Sequence, residues 1–188
     1  MYNAVQTRGL VVHNFFRGIS SNADRLFLDI DFRDIQKLDY AREAALRKGR
    51  ITQSEEELVV KADLHLADEN YVVKIRPTGD LLDMIADPQK RAYKVQVSGG
   101  KKIFGMKEFK LLPPKARHHI VEWIGHELEK REGLLALRYF FVNVTINGDD
   151  RGVYAIEEHF NKEFLENRQA REGVIFNVGR DNKPRVFN

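Results

Sequence analysis

Apolar and polar positions alternate along much of the chain, and the alternation predicts strands. Arg25-Leu26-Phe27-Leu28-Asp29-Ile30 has a period of two, which places one set of side chains on a single face. Leu58 to Leu66 and Tyr71 to Arg76 read as two more strands, joined by the polar turn Asp68-Glu69-Asn70. Lys90 to Val97 reads as another, turning at Ser98-Gly99-Gly100, and a short strand surrounds Phe109-Lys110-Leu111. A helical period appears in two places. Between 31 and 48, Ile35, Leu38, Ala41, Ala45 and Leu46 share a face, with Asp31 or Asp34 as the cap and Gly49 as the stop. After Pro113-Pro114, residues Ile120, Trp123, Ile124 and Leu128 lie on one side of a second helix, which Gly133 ends.

The densest pattern runs from Leu137 to Leu165. Tyr139 to Ile146 is rich in β-branched and aromatic residues, as a buried strand requires. Asn147-Gly148 tolerates the positive φ of a tight hairpin turn, and Gly152 to Ile156 returns as the partner strand. Glu157 and Glu158 then sit at the strand end, ahead of a helix carrying Phe160, Phe164 and Leu165. Spacing alone favours a solvated strand end for these acids over a functional pair. The sum is an α+β domain: a mostly antiparallel sheet of five or more strands with two to three helices.

Composition narrows the class. Of 188 residues, 43% are hydrophobic and 31% charged, which describes a soluble globular protein. The net charge of +3 comes from interleaved acids and bases with no one-sided basic stripe, so nucleic acid is not an expected partner. No apolar run reaches transmembrane length, and the opening residues lack the apolar core of a signal peptide. There is no cysteine, which excludes disulfides and thiol catalysis.

Two clusters invite chemistry. His118, His119, Glu122, His126 and Glu127 crowd the second helix, and His126-Glu127 begins a zinc-protease pattern. Lys130 stands where the second histidine belongs, so this face reads as solvated and no metal ligands are assigned. Lys90 and Lys94 share a strand face, and Arg76 ends a neighbouring strand three residues before Gly79. A strand lysine partnered by a helix glutamate is one way to hold phosphate oxygens, although ordinary solvent-facing lysines are the favoured reading of these residues by themselves. Gly99-Gly100 and Gly105 do not have the spacing of a phosphate loop.

Together these pieces resemble the CotH kinase family, named for spore coat protein H. The matching stretches are Arg76-Pro77-Thr78-Gly79, Lys90 to Val95, and Phe104-Gly105-Met106-Lys107-Glu108-Phe109-Lys110-Leu111. Ala116-Arg117 before the Trp123 helix and Lys130-Arg131-Glu132-Gly133-Leu134 follow. Val142 to Gly148 with Gly152 to Phe160 closes the match, and Arg42 to Leu46 resembles the lead-in segment of large bacterial members.

The resemblance implies an atypical protein-kinase-like fold and transfer of phosphate from ATP, with Mg2+, to serine in a protein substrate. It divides the chain into a lead-in strand and helix (1–57), a region resembling the kinase small lobe (58–158), and the start of a second lobe (159–188). Carried over, Lys94 contacts phosphate, Glu122 or Glu127 is its helix partner, Glu158 sits at the junction between lobes, and Arg76 and Gly79 belong to a loop over the phosphates. One sheet is thus expected to bring Lys94 and Glu158 to a shared half-pocket. Asp80-Leu81-Leu82-Asp83 departs from the polar, serine-containing loop common in the family. The family's catalytic aspartates lie downstream of the matched segment, and the late Asp181 sits in a turn-like setting. The chain is therefore expected to hold part of a nucleotide site without catalysing, the remainder of the kinase domain being its partner. The resemblance also allows a spore-coat or cell-surface location. A non-catalytic surface or assembly module that keeps the same fold is the competing expectation.

Overall fold

The computed structural model describes residues 23–49, 58–79, 82–169, 175–178 and 184–187. Residues 1–22, the acidic run Glu55-Glu56-Glu57, Asp80-Leu81 and Asp181 lie outside them.

Seven strands close into a barrel in the order β1-β2-β3-β4-β5-β7-β6. They are β1 (Arg25–Ile30), β2 (Val60–Leu66), β3 (Glu69–Pro77), β4 (Tyr93–Val97), β5 (Glu108–Leu112), β6 (Tyr139–Ile146) and β7 (Asp149–Glu158). All neighbours are antiparallel except β1 and β6, which pair in parallel from Arg25 with Asn143 to Leu28 with Ile146. The period-two alternation separates buried from outward positions in β1 to β4, whereas β7 is buried on both faces from Tyr154 to Glu158. Leu26, Leu28, Val73, Ile75, Val95, Phe109, Leu111, Val142, Val144 and Ile156 fill the interior and are fully or almost fully buried. Each such side chain contributes roughly 1.5–3 kcal/mol on burial.

This closed mixed barrel overturns the expected α+β fold, a mostly antiparallel sheet with two to three helices resembling a kinase small lobe. The local pattern of apolar positions is the same for a strand in an open sheet and a strand in a barrel. Closure depends on β1 meeting β6, which no neighbouring residue reports. Asn147 fastens that seam: its side-chain oxygen accepts from the Ile30 N–H at 2.7 Å and its amide donates to the Ile30 carbonyl at 2.8 Å. Asn147 and Gly148 both have positive φ, 49° and 83°, as the β6–β7 hairpin turn demands.

Helices decorate the barrel. Helix α1 (Phe32–Lys48) is capped by Asp31, which accepts from the Arg33 N–H, and ends at Gly49 with φ 73°. Its Leu38, Ala41 and Ala45 are buried. A second, smaller core joins Ala45 to Met84, Ile85, Leu112, Tyr139 and Ala155 on the outer side of the wall. Helix α2 (Val121–Arg131) is amphipathic in the opposite sense to the expected one. It has no buried residue, and Ile120, Trp123, Ile124 and Leu128 are exposed. Its polar side faces the barrel instead: the His126 side chain is 12% exposed and its ring lies 5.5 Å from that of Tyr139. Helix α3 (Lys162–Asn167) buries Phe164 and Leu165, and β8 (Ile175–Val178) pairs with β9 (Pro184–Phe187). No described helix is long and apolar enough to cross a membrane.

Candidate functional site

The outer face of β3, β4, β5 and β7 carries an unbroken cross-strand row. Arg76 is opposite Lys94, Lys94 opposite Lys110, and Lys110 opposite Glu157, which is in turn opposite Tyr139. Directly opposed side chains on one face sit roughly 5 Å apart, so three cations line up next to one another before an acid ends the row. The sequence creates this row because each residue holds an outward position in a strand whose neighbours point into the core. Arg117, from the short 3-10 turn Pro114–Arg117, adds a fourth cation 3.9 Å from Glu157.

Carboxylates stitch the row together. Lys110 donates to Glu157 at 2.5 Å, and Glu157 is almost completely buried. Lys94 pairs with Glu108, one strand over and two positions along. His159 completes this end, with Nε2 3.2 Å from Glu108 and 3.4 Å from the Lys94 ammonium. Burial holds the His159 pKa below its usual value; Glu108 opposes this, while Lys94, Lys110 and Arg76 reinforce it. A histidine facing three cations stays neutral, and its ring can accept or donate a hydrogen bond without adding charge. Across the row the Tyr139 hydroxyl is buried with no hydrogen-bond partner among the described residues. Burial first, then Glu122 and Glu157, push its pKa up to about 12 against the pull of Arg117.

Among the described residues, Arg76, Lys94, Lys110 and Arg117 thus share one surface with the carboxylates Glu108, Glu157 and Glu122. Such a surface attracts a multiply charged anion, and half-buried side chains make the attraction stronger than it is in bulk water. Anion oxygens would accept from the ammonium and guanidinium groups.

The residues singled out from the sequence are divided by the barrel wall. Arg76 and Lys94 are brought together on its outside, and Gly79 follows β3 with φ 133°. Glu158 points the other way. It is opposite the interior Phe109 and is 3% exposed. Arg138 donates to it from the guanidinium at 2.7 Å and the backbone at 3.1 Å, and Arg168 donates at 3.1 Å. Burial would raise its pKa, but these bonds outweigh it and leave the carboxyl below its usual range. The structure does not bring Lys94 and Glu158 together. On α2, Glu127 pairs locally with Lys130 at 2.5 Å, whereas Glu122 turns toward Arg117 at 4.0 Å and His126 at 3.9 Å. Among the described residues no three His, Asp or Glu side chains converge on a metal position.

Sequence reasoning missed Lys110, Glu108, Glu157 and His159 as companions of Lys94. The strand around Phe109-Lys110-Leu111 was legible, and the outward parity of Lys110 with it. The register that sets Lys110 between Lys94 and Glu157 was not.

The family model described as CotH kinase protein matches residues 75–186, more than half of the chain, and the chain belongs to that family. The match includes the whole cross-strand row. No curated protein matches the chain.

Proposed function

We propose that this member of the CotH kinase protein family binds the phosphate groups of ATP on the outer face of its barrel, in support of phosphoryl transfer to serine in a protein substrate. The observation that carries the reading is the registered row Arg76, Lys94 and Lys110, flanked by Arg117. Phosphoryl transfer depends on positioning and on neutralising charge over the phosphate oxygens, and a fixed row of cations supplies both. Gly79, two residues past the end of β3 and three beyond Arg76, allows a close backbone approach at that end of the row. Glu108 and Glu157 hold Lys94 and Lys110 in place until an anion competes for them. Mg2+ bound to the nucleotide would neutralise part of the phosphate charge. No residue is assigned to the chemical step.

Calorimetric titration with ATP and Mg2+ tests the reading. Saturable binding is expected, with Lys94→Ala and Lys110→Ala each weakening it about tenfold, the loss of one charge-assisted contact. Glu127→Gln, on the far side of its own local ion pair, should leave it unchanged. Binding that is absent, or indifferent to Lys94 and Lys110, would remove the proposal.

A second reading has its own support. Lys94 and Lys110 are already paired within the protein, and α2 exposes Ile120, Trp123, Ile124 and Leu128. Both suit an assembly module without nucleotide chemistry. The same titration separates the two, since such a module leaves ATP unbound.

A further inference from the structure

A second recessed surface lies on the other side of the 3-10 turn Pro114–Arg117. While Arg117 turns toward Glu157, Lys115 faces an open groove of about 560 Å³ that also takes in Lys90, His119, Ile120, Phe141 and Val153. Its floor is the outward side of the β6–β7 hairpin, because Phe141 and Val153 have outward parity on those strands. Its rim is cationic.

The rim is held in an unusual shape. His118 and His119 are consecutive non-glycine residues with positive φ, 51° and 61°. The His119 N–H donates to the Pro114 carbonyl at 2.7 Å, and that of His118 to Lys115 at 3.3 Å, which fixes the bend. Left-handed backbone in side-chain-bearing residues costs roughly 1–2 kcal/mol each, and such strain collects at binding sites. On the opposite rim Lys90 lies 5.5 Å from the Tyr154 ring centre and 3.7 Å from where a side chain on Gly152 would begin. Burial lowers its pKa, with Asp87 and Asp150 opposing.

We propose that this groove docks a peptide segment of a partner protein in which acidic residues alternate with bulky apolar ones. Charge complementarity selects the acidic partner: Lys90 and Lys115 flank an apolar floor, and no acidic side chain lines it. The apolar surface continues past the groove through Ile120 to Val121, Trp123 and Ile124, all exposed, which suits a chain of several residues better than a small molecule. Among the described residues the closed barrel has no free strand edge at this groove, so a partner seated here is read through side chains. This site is separate from the phosphate row and does not depend on it.

The test uses a fluorescein-labelled dodecapeptide alternating glutamate with leucine and phenylalanine. Two controls accompany it, one with lysine for glutamate and one with serine for the apolar residues. Anisotropy should show saturable binding of the first peptide alone, with amide shifts concentrated at Lys90, Phe141 and Val153. Lys115→Glu and Val153→Glu, both at exposed positions, should each weaken it about tenfold, a loss of roughly 1.4 kcal/mol, while ATP affinity stays unchanged. No saturable binding, equal binding of the lysine peptide, or indifference to both substitutions would overturn the proposal. A parallel fall in ATP affinity would overturn it too, because the groove would then belong to the phosphate site.

Discussion

Glu157 and Glu158 are adjacent in β7 and serve opposite faces of the barrel wall. Glu157 turns outward to Lys110 at 2.5 Å, and Glu158 turns inward to Arg138 at 2.7 Å. Period-two alternation makes this unavoidable within one strand, and it separates a surface network from an interior one. Glu158 ties together parts of the chain that would otherwise be loosely joined: Arg138 also donates to the Phe104 carbonyl, and Arg168 to that of Ala136.

Glu158→Gln is therefore expected to act on stability. Removing one partner of a buried pair leaves the remaining charges uncompensated; with Arg138 and Arg168 partly exposed, the cost should be about 2 kcal/mol by urea unfolding. ATP affinity should not change. A neutral effect on the urea midpoint would show that the two arginines do not depend on this carboxylate.

The same residue gives a pH dependence of known sign. Its folded pKa lies below the ordinary 4.5, so the unfolded chain takes up the proton first as pH falls. The stabilisation is complete well above pH 4.5 and is lost as pH drops through 4.5 toward the folded value. The stability difference between the native protein and Glu158→Gln should shrink over that acid range, as measured by urea midpoints at successive pH values. A constant difference would contradict the assignment.

Asn147 should prove costly to replace. Asn147→Ala loses two hydrogen bonds to Ile30 and forces alanine to a φ of 49°, together about 2–3 kcal/mol. Asn147→Gly keeps the turn and loses only the bonds, so it should fall between alanine and the native protein in thermal or urea unfolding. Equal losses for both would mean that the turn conformation contributes nothing.

The exposed side of α2 makes the opposite prediction. Trp123→Ser and Leu128→Gln should change stability by no more than about 0.5 kcal/mol, as surface substitutions do. Trp123, at 40% exposure, should also be quenched readily by iodide. A large destabilisation would mean that this stripe packs against something in the folded chain.

Glu157→Gln and Lys94→Ala should move ATP affinity in opposite directions. Removing the acid releases Lys110 and Arg117 for the phosphates and raises affinity, by about threefold if the gain resembles a modest ion pair. Parallel losses in calorimetry would place Glu157 in contact with the nucleotide or its metal.

Local chemistry was readable without coordinates. The strands around Leu28, Val73, Val95, Phe109 and Val144 follow from alternation, a cap at Asp31 or Asp34 and the Gly49 stop follow from residue type, and the Asn147-Gly148 turn follows from its tolerance of positive φ. The family, too, was legible in its motifs. What needed tertiary structure was every pairing between distant segments. Closure by β1 and β6, the register that sets Arg76, Lys94, Lys110 and Glu157 in one row, and the turning of the His126 side of α2 toward Tyr139 are all relations between segments separated in the chain. Short-range periodicity tells each residue which side of its own strand it occupies. Which neighbour it meets there is fixed only when the strands align, because a shift of one residue in register would send the same side chains to the opposite face.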